Sequence, residues 1–370
     1  MIGRTLAVAR KELIQLRRDR RSLILAFLLP PALILFFGYA IQFDVDEIRL
    51  AVWDGDRTQT SERLVDAFLQ SGKFVVTGRP AGYVEATERL VGGEALAVLA
   101  IPPGFTADLA AGRPAPLQLL LDGSDANTAT IALDYARGVV AAFSRSATLD
   151  GRMLQPPVRA ASRVWYNEAL ESRNMVVPGL IAVITSIIAA LLTGLTIARE
   201  WERGTMEQLI STPVRESEIV LGKLLPYLAI GFVDVALTVL LGTLLFGVPF
   251  RGSVLLLFLL TAPFLVAALT FGMFISAAVR TQVLATQFAM IGTYLPALLL
   301  SGFIFAIANM PPVLQALTYL FPARFYVTVT KALFLKGVGL STLWEEGLAL
   351  LVFAVAGVAL TMRVLRKEVA

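Results

Sequence analysis

Long stretches without a charged residue recur along this 370-residue chain, and they limit what it can fold into more than any other feature. A bilayer core about 30 Å thick is crossed by about 20 helical residues, and lipid offers no partner to an unpaired backbone amide or carbonyl. Residues 22–43, 174–198 and 252–279 each meet that demand, as do 224–250, broken only by Asp234. The uncharged run 281–323 is too long for one crossing. It divides into a helix over about 284–305 and, after the break Asn309-Met310-Pro311-Pro312, an amphipathic or re-entrant segment reaching Pro322. The last run, 347–362, is short, and Arg363 can snorkel to the interface to lengthen it. With 56% hydrophobic and 16% charged residues and a mean hydropathy of +0.72, lipid is the solvent for much of the chain.

The first run follows a basic stretch, Arg17, Arg18, Arg20 and Arg21, as a signal peptide would. It is longer than a cleavable core of about 7 to 15 residues and no small-x-small site closes it, so an uncleaved anchor is expected. Six N-inside spans put fifteen Lys and Arg on one face: seven in residues 1–21, four in 199–223, Arg280, and three at Arg363, Arg366 and Lys367. The short loops of the other face hold four, Arg251, Arg324, Lys331 and Lys336. The positive-inside rule then places both termini in the cytoplasm of a multi-pass inner-membrane protein. The net charge of +4 is thereby a matter of topology, and no nucleic-acid partner is expected.

Residues 44–173 differ in character, holding most of the acidic residues and regular Gly and Pro punctuation. Strand patterns at 48–53, 74–77, 95–101, 116–121 and 163–166 alternate with helical ones at 61–70, 82–91, 105–111 and 125–150. The expected fold is an all-α membrane domain of six transmembrane helices with an inserted extracytoplasmic α/β domain. The segments are 1–21, an amphipathic interface helix; 22–43, the first span; 44–173, the inserted domain; and 174–370, the remaining spans with a polar elbow at 199–223.

With no Cys and no His, thiol and imidazole catalysis, disulfides and most zinc or copper sites are excluded, and no metal site is expected. No G-x-x-x-x-G-K-[ST] loop is present, since Gly222-Lys223 is followed by Leu224, so any ATP must be hydrolysed by another polypeptide. The chain is not expected to be an enzyme or to hold a cofactor. The densest polar segment is the elbow, where Gly204 ends one helix and Thr205 with Gln208 forms a capping box that starts another. Charges after a span also serve as plain interfacial anchors. Asp234 lies deep in a span, at an insertion cost of roughly 2.5 to 3.5 kcal/mol, which fits a site for a cationic or polar substrate or a proton relay. The plainer reading is a place near one end of a tilted helix, or a bond to Thr, Ser or Tyr hydroxyls across a subunit contact. Thr185 and Thr193 in the second span either hydrogen-bond between helices or line a path. Pro30-Pro31 and Pro296 mark kinks, and Trp53 and Trp165 are core or interface aromatics.

The run Ala198-Arg199-Glu200-x-Glu202-Arg203-Gly204-Thr205-x-Glu207-Gln208-Leu209-x-x-Thr212-Pro213 resembles the signature of ABC-2 type exporter permeases of the YbhR, YbhS and YhhJ group. Further matches follow in order: Leu121-Asp122-Gly123 with Asn127, Trp165-Tyr166-Asn167, Val177-Pro178-Gly179, Gly222-Lys223, Leu300-Ser301-Gly302-Phe303 and Asn309-Met310-Pro311. Before that last turn, Ala306 and Ala308 stand where the family often has Pro and Glu. The resemblance implies a permease moved by a separate ABC ATPase subunit that carries ATP and Mg. It makes Arg199, Glu200, Glu202, Arg203, Gly204, Thr205, Glu207 and Gln208 ATPase-coupling residues, with Arg10, Lys11, Glu12, Arg17 and Arg18 on an amino-terminal interface helix. It also implies a second permease, like or paralogous, and raises a periplasmic adaptor as a further partner beside membrane lipid. The substrate class that fits is hydrophobic, amphipathic or drug-like. A proton-coupled transporter using Asp234 would predict two similar halves, which the span order does not offer. A non-transporting receptor or scaffold with a ligand-binding inserted domain is the other reading.

Overall fold

The computed structural model describes residues 2–40, 47–124, 126–146, 148–149, 152–153 and 171–366. The chain divides into two compact units, Met1–Gln42 with Val164–Ala370, and Phe43–Arg163. The first is helical. Among its described residues, six helices are long and apolar enough to cross a membrane: Ser22–Ala40, Ser172–Glu202, Glu216–Leu244, Val254–Val279, Gln282–Leu299 and Leu340–Leu365. In chain order they are the first to sixth spans.

Each long uncharged run carries one of these helices, but the ends move. The third starts at Glu216 rather than 224, because Glu218 accepts from the Arg215 amide at 2.9 Å and satisfies an orphan donor of the first turn. The fifth stops at Leu299, short of 305, and Gly302 with φ 79° turns the chain beyond it. The sixth begins at Leu340 rather than 347 and takes Glu345 and Glu346 into its first turns. The first is interrupted at Leu28, between helices Arg20–Phe27 and Leu29–Ala40. Pro30 and Pro31 withhold successive amide donors at that point, as their sequence position predicts.

The second span is buried around nearly its whole circumference from Asn174 to Gly194 and forms the centre of the helical unit. The outer spans leave large apolar side chains uncovered, among them Leu284, Phe288 and Ile291 on the fifth and Leu351 and Val355 on the sixth. Such faces suit a lipid solvent. The segment between these spans extends beyond the expected end at Pro322. After Pro312–Thr318 comes a helix Pro322–Lys331, then a π-helical turn Ala332–Lys336. The helix Pro322–Lys331 packs among the spans: the Tyr326 ring stacks on Phe264 at 3.8 Å and its hydroxyl lies 2.7 Å from that of Thr261.

The second unit contains a four-stranded sheet. Strands β1 (Ile48–Asp54), β2 (Phe74–Gly78), β3 (Ala97–Ile101) and β4 (Gln118–Leu121) lie in the order β2-β1-β3-β4. β1 pairs parallel with β2 and β3, while β4 is antiparallel to β3. Helices Gln59–Gln70 and Tyr83–Val91 make the crossovers that parallel pairing requires. Because strand side chains alternate, Leu50 and Val52 join Leu64, Phe68, Ala132 and Ala136 on one face. Ala51 and Val98 join Ala86 on the other. Trp53 packs edge-on to Tyr83 at 5.6 Å, an aromatic of the fold as expected. The helix predicted over 125–150 runs only from Ala126 to Ser146; a two-residue antiparallel pair, Thr148–Leu149 with Arg152–Met153, replaces its last turn. The strand expected at 163–166 and the motif Trp165-Tyr166-Asn167 lie outside the described residues.

Candidate functional site

The site is built where the amino-terminal helix, the third span and the end of the second span meet. In the helix Ile2–Arg18, Val8, Ala9, Glu12 and Leu16 form the buried stripe. They lie against the third span at Gly222, where a Cβ would fall 2.6 Å from that of Val8 and 2.9 Å from the Thr5 carbonyl oxygen. Only a residue without a side chain allows that approach.

Beside Gly222, Lys223 is 1% exposed and lies between two carboxylates. Its Nζ donates to Glu12 at 3.0 Å and stands 3.1 Å from Oε2 of Glu200. Lys11 donates to Glu200 Oε1 at 2.5 Å, and the Tyr227 hydroxyl donates to Glu12 at 3.1 Å. Two carboxylates and two ammonium groups make the cluster neutral, the condition under which buried charges are tolerated. A polar cavity of about 50 Å³ adjoins it, lined by Glu12, Thr196, Arg199, Glu200 and Tyr227, with room for water. At the cluster's edge Arg199 meets Asp19 at 2.7 Å. Burial pushes the Asp19 carboxyl up, but hydrogen bonds from Ser22 and the Arg199 charge outweigh it and hold the group below its ordinary value. Arg4 donates to the Pro213 carbonyl at 2.5 Å and ties the helix to the far end of the elbow.

The elbow consists of the helices Thr196–Glu202 and Thr205–Ile210, joined at Gly204 with φ +66°. The expected capping box is absent: Gly204 occupies the cap position, and the Thr205 hydroxyl donates back to the Glu200 carbonyl at 3.3 Å. A left-handed glycine leaves no side chain with which to cap. Met206 turns inward onto Ile197, Ile219, Val220 and Met273. Glu202 accepts from the Gln282 amide at 2.7 Å and from its side chain, fastening the elbow to the fifth span. Arg280 lies over the Trp201 ring at 4.8 Å.

The predicted coupling residues thus divide. Glu12 and Glu200 are buried in the charged cluster, and Lys11 and Arg199 are its half-buried rim. Glu202, Arg203, Gly204, Glu207 and Gln208 are exposed and Thr205 is half-buried. Arg10, Arg17 and Arg18 are exposed on the amino-terminal helix. Lys223 and Tyr227 were not singled out by sequence reasoning as site residues. A signal existed in Glu12, which shares the i−4 and i+4 stripe of Val8 and Leu16 and needed a buried cation.

The other candidates are separate. Asp234 is buried in the third span, and its Oδ1 has no hydrogen-bond partner among the described residues. Thr193 is fully buried and its hydroxyl contacts the Ala189 carbonyl and, on the fourth span, that of Leu269 at 2.7 Å. That is a helix-to-helix bond, the plainer of its two readings. Thr185 is buried on the same span. Among the described residues no cluster of acidic side chains could hold a metal ion.

Six helices of membrane-crossing length and apolarity among the described residues, with a charged elbow clamped to the amino-terminal helix, fit the class of polytopic membrane proteins. The family described as "ABC-2 family transporter protein" matches residues 20–363, nearly the whole chain. The chain is 36% identical over 345 residues to "Probable multidrug ABC transporter permease YbhS" of Escherichia coli strain K12, covering 90% of this chain and 89% of the relative. It is 31% identical over 374 residues to "Probable multidrug ABC transporter permease YbhR" of the same organism, covering 100% of both. To the organism's "Inner membrane transport permease YhhJ" it is 28% identical over 326 residues, 86% of this chain and 84% of that one. This chain belongs to the ABC-2 transporter family, as a permease component.

Proposed function

We propose that this chain is the membrane-spanning subunit of an ATP-driven exporter of the bacterial inner membrane, moved by a separate ATPase that docks on the exposed rim of the elbow. The elbow does not hang free: through Glu200, Lys223, Glu12 and Lys11 it is anchored to the third span and the amino-terminal helix in one buried cluster. A push on Arg203, Glu207 and Gln208 at the rim is therefore delivered to the spans as rigid-body motion. The excess of Lys and Arg on one set of loops supports a cytoplasmic elbow and cytoplasmic termini, with the sheet-containing unit on the opposite side.

The substrate is hydrophobic, amphipathic or drug-like. The names of the YbhS and YbhR relatives support this class, and so do apolar spans that carry hydroxyls. Two permeases, identical or paralogous, form the path, ATP and Mg sit on the ATPases, and the outer unit caps the exit or meets a periplasmic adaptor. Asp234, with a buried oxygen that lacks a hydrogen-bond partner among the described residues, is the position at which a cationic substrate would be recognised.

The test is affinity purification from membranes of cells that make the whole transporter. An ATPase subunit with a phosphate-binding loop should co-purify, and Arg203→Ala with Glu207→Ala should lower its recovery about tenfold, equivalent to about 1.4 kcal/mol of contact. Undiminished recovery would remove the rim from the interface.

A further inference from the structure

We propose that a groove between the amino-terminal helix and the first and third spans holds an acyl chain of an anionic phospholipid, with the lipid phosphate on Arg10. The groove encloses about 550 Å³ and is walled by Leu6 and Leu13 of the amino-terminal helix, Phe27 of the first span, and Leu225, Ala229 and Val233 of the third. Leu6 is 64% exposed, Leu225 47% and Val233 51%, large apolar surfaces that water would not leave uncovered but a hydrocarbon chain would match. Leu225 and Val233 lie on the same span about 12 Å apart at 1.5 Å per residue, so the groove runs from the interfacial helix along the span for part of the length of an acyl chain.

Arg10 selects the headgroup. It is the one charged residue in the lining, it is exposed, and it makes no hydrogen bond or ion pair among the described residues. The helix faces around it differ in kind: Lys11 and Glu12 turn to the buried cluster, leaving Arg10 to the groove. Seven Lys and Arg in the first 21 residues make the local field positive. A zwitterionic lipid brings a compensating amine, whereas phosphatidylglycerol brings net negative charge and gains from both the guanidinium and the field. The lipid would thereby brace the outer side of the same helix that Lys223 holds from the inner side. The inference goes beyond the coupling role of the elbow and needs no ATPase for its test.

The chain has no cysteine, so Ala229→Cys gives a single labelling site in the groove. Bimane-labelled protein in phosphatidylcholine vesicles is titrated with phosphatidylglycerol or with more phosphatidylcholine, the added lipid brominated on its acyl chains. Quenching should report about a fivefold preference for phosphatidylglycerol, the size expected of one basic residue near an anionic headgroup. Arg10→Gln should bring the two lipids level, while Arg10→Lys and the off-groove change Arg17→Gln should retain the preference. Equal quenching by both lipids in the Ala229→Cys parent, or a preference that survives Arg10→Gln, would overturn the proposal. So would absence of quenching at position 229 when label at Val355→Cys is quenched, because the groove would then be covered by protein such as a second copy.

Discussion

At the scale of single residues, Lys223 ties the third span to Glu12 of the amino-terminal helix and to Glu200. Replacing it by Met strands the carboxylates of Glu12 and Glu200 in the interior with only Lys11 to neutralise them. Breaking a buried pair from one side costs about 3 to 5 kcal/mol, whereas removing all its charges is far milder. Lys223→Met should therefore lower the unfolding temperature in detergent markedly, and adding Glu12→Gln with Glu200→Gln should recover most of the loss; equal stability of the single and triple variants would show that the ion pairs hold nothing. Asp56 tests a second local claim in the sheet-containing unit. It accepts from the Gly104 amide at 2.8 Å, the Thr106 amide at 3.1 Å and the hydroxyls of Thr58 and Thr106. Burial pushes its carboxyl up, the Thr106 and Thr58 hydroxyls and the two amides pull it down further, and the folded value ends below the ordinary 3.8. A lowered acid group stabilises above its unfolded value and loses that contribution as pH falls through the folded one. Exchange protection of the Gly104 and Thr106 amides should hold above about pH 4 and decay below it, and Asp56→Asn should flatten that dependence. Residue roles were the least legible level of the sequence. Glu12 and Glu200 read as surface charges because composition marks a charge as exposed, while their partner Lys223 lies 211 residues from Glu12, at the far end of the polar segment 199–223.

At the scale of elements, the spans and strands were legible because each carries a periodic or continuous apolar signal. β3, Ala97–Ile101, is buried at every position and reads as an unbroken apolar run. The helix Pro322–Lys331 escaped notice since no charge or change of period separates it from the run before it, although Pro322 at its first turn is the usual start signal. The elbow was legible as a break at Gly204 but not in its chemistry, because a positive φ at the cap excludes the box that Thr205 and Gln208 suggest. An L-residue in that left-handed conformation costs about 1 to 2 kcal/mol. Gly204→Ala should consequently reduce transport while shifting the unfolding temperature by only a few degrees, and Gly204→Asn, which tolerates that conformation, should transport better than the Ala variant. If Ala and Asn behave alike and like the parent, the bend is not part of the coupling.

At the scale of the whole molecule, the long uncharged runs correspond to the six membrane-length helices among the described residues, since lipid imposes length and apolarity on every crossing. Partners and sidedness belong to surfaces that a single chain leaves open. The charge asymmetry of the loops predicts that residues 46–163 lie outside the cytoplasm. Removing them should abolish transport and spare ATPase assembly, a result read in parallel by co-purification and by cellular accumulation of an amphipathic drug of the proposed substrate class. Under the proposed function, ATP energy enters through the exposed rim of the elbow and travels inward by way of the buried cluster. The most direct measurement is photo-crosslinking in membranes containing the whole transporter, with a benzophenone side chain placed at Glu207 on the rim or at Glu345 near the start of the sixth span. An adduct with a nucleotide-binding subunit is predicted from position 207 and none from 345; an adduct from 345 with none from 207 would contradict it.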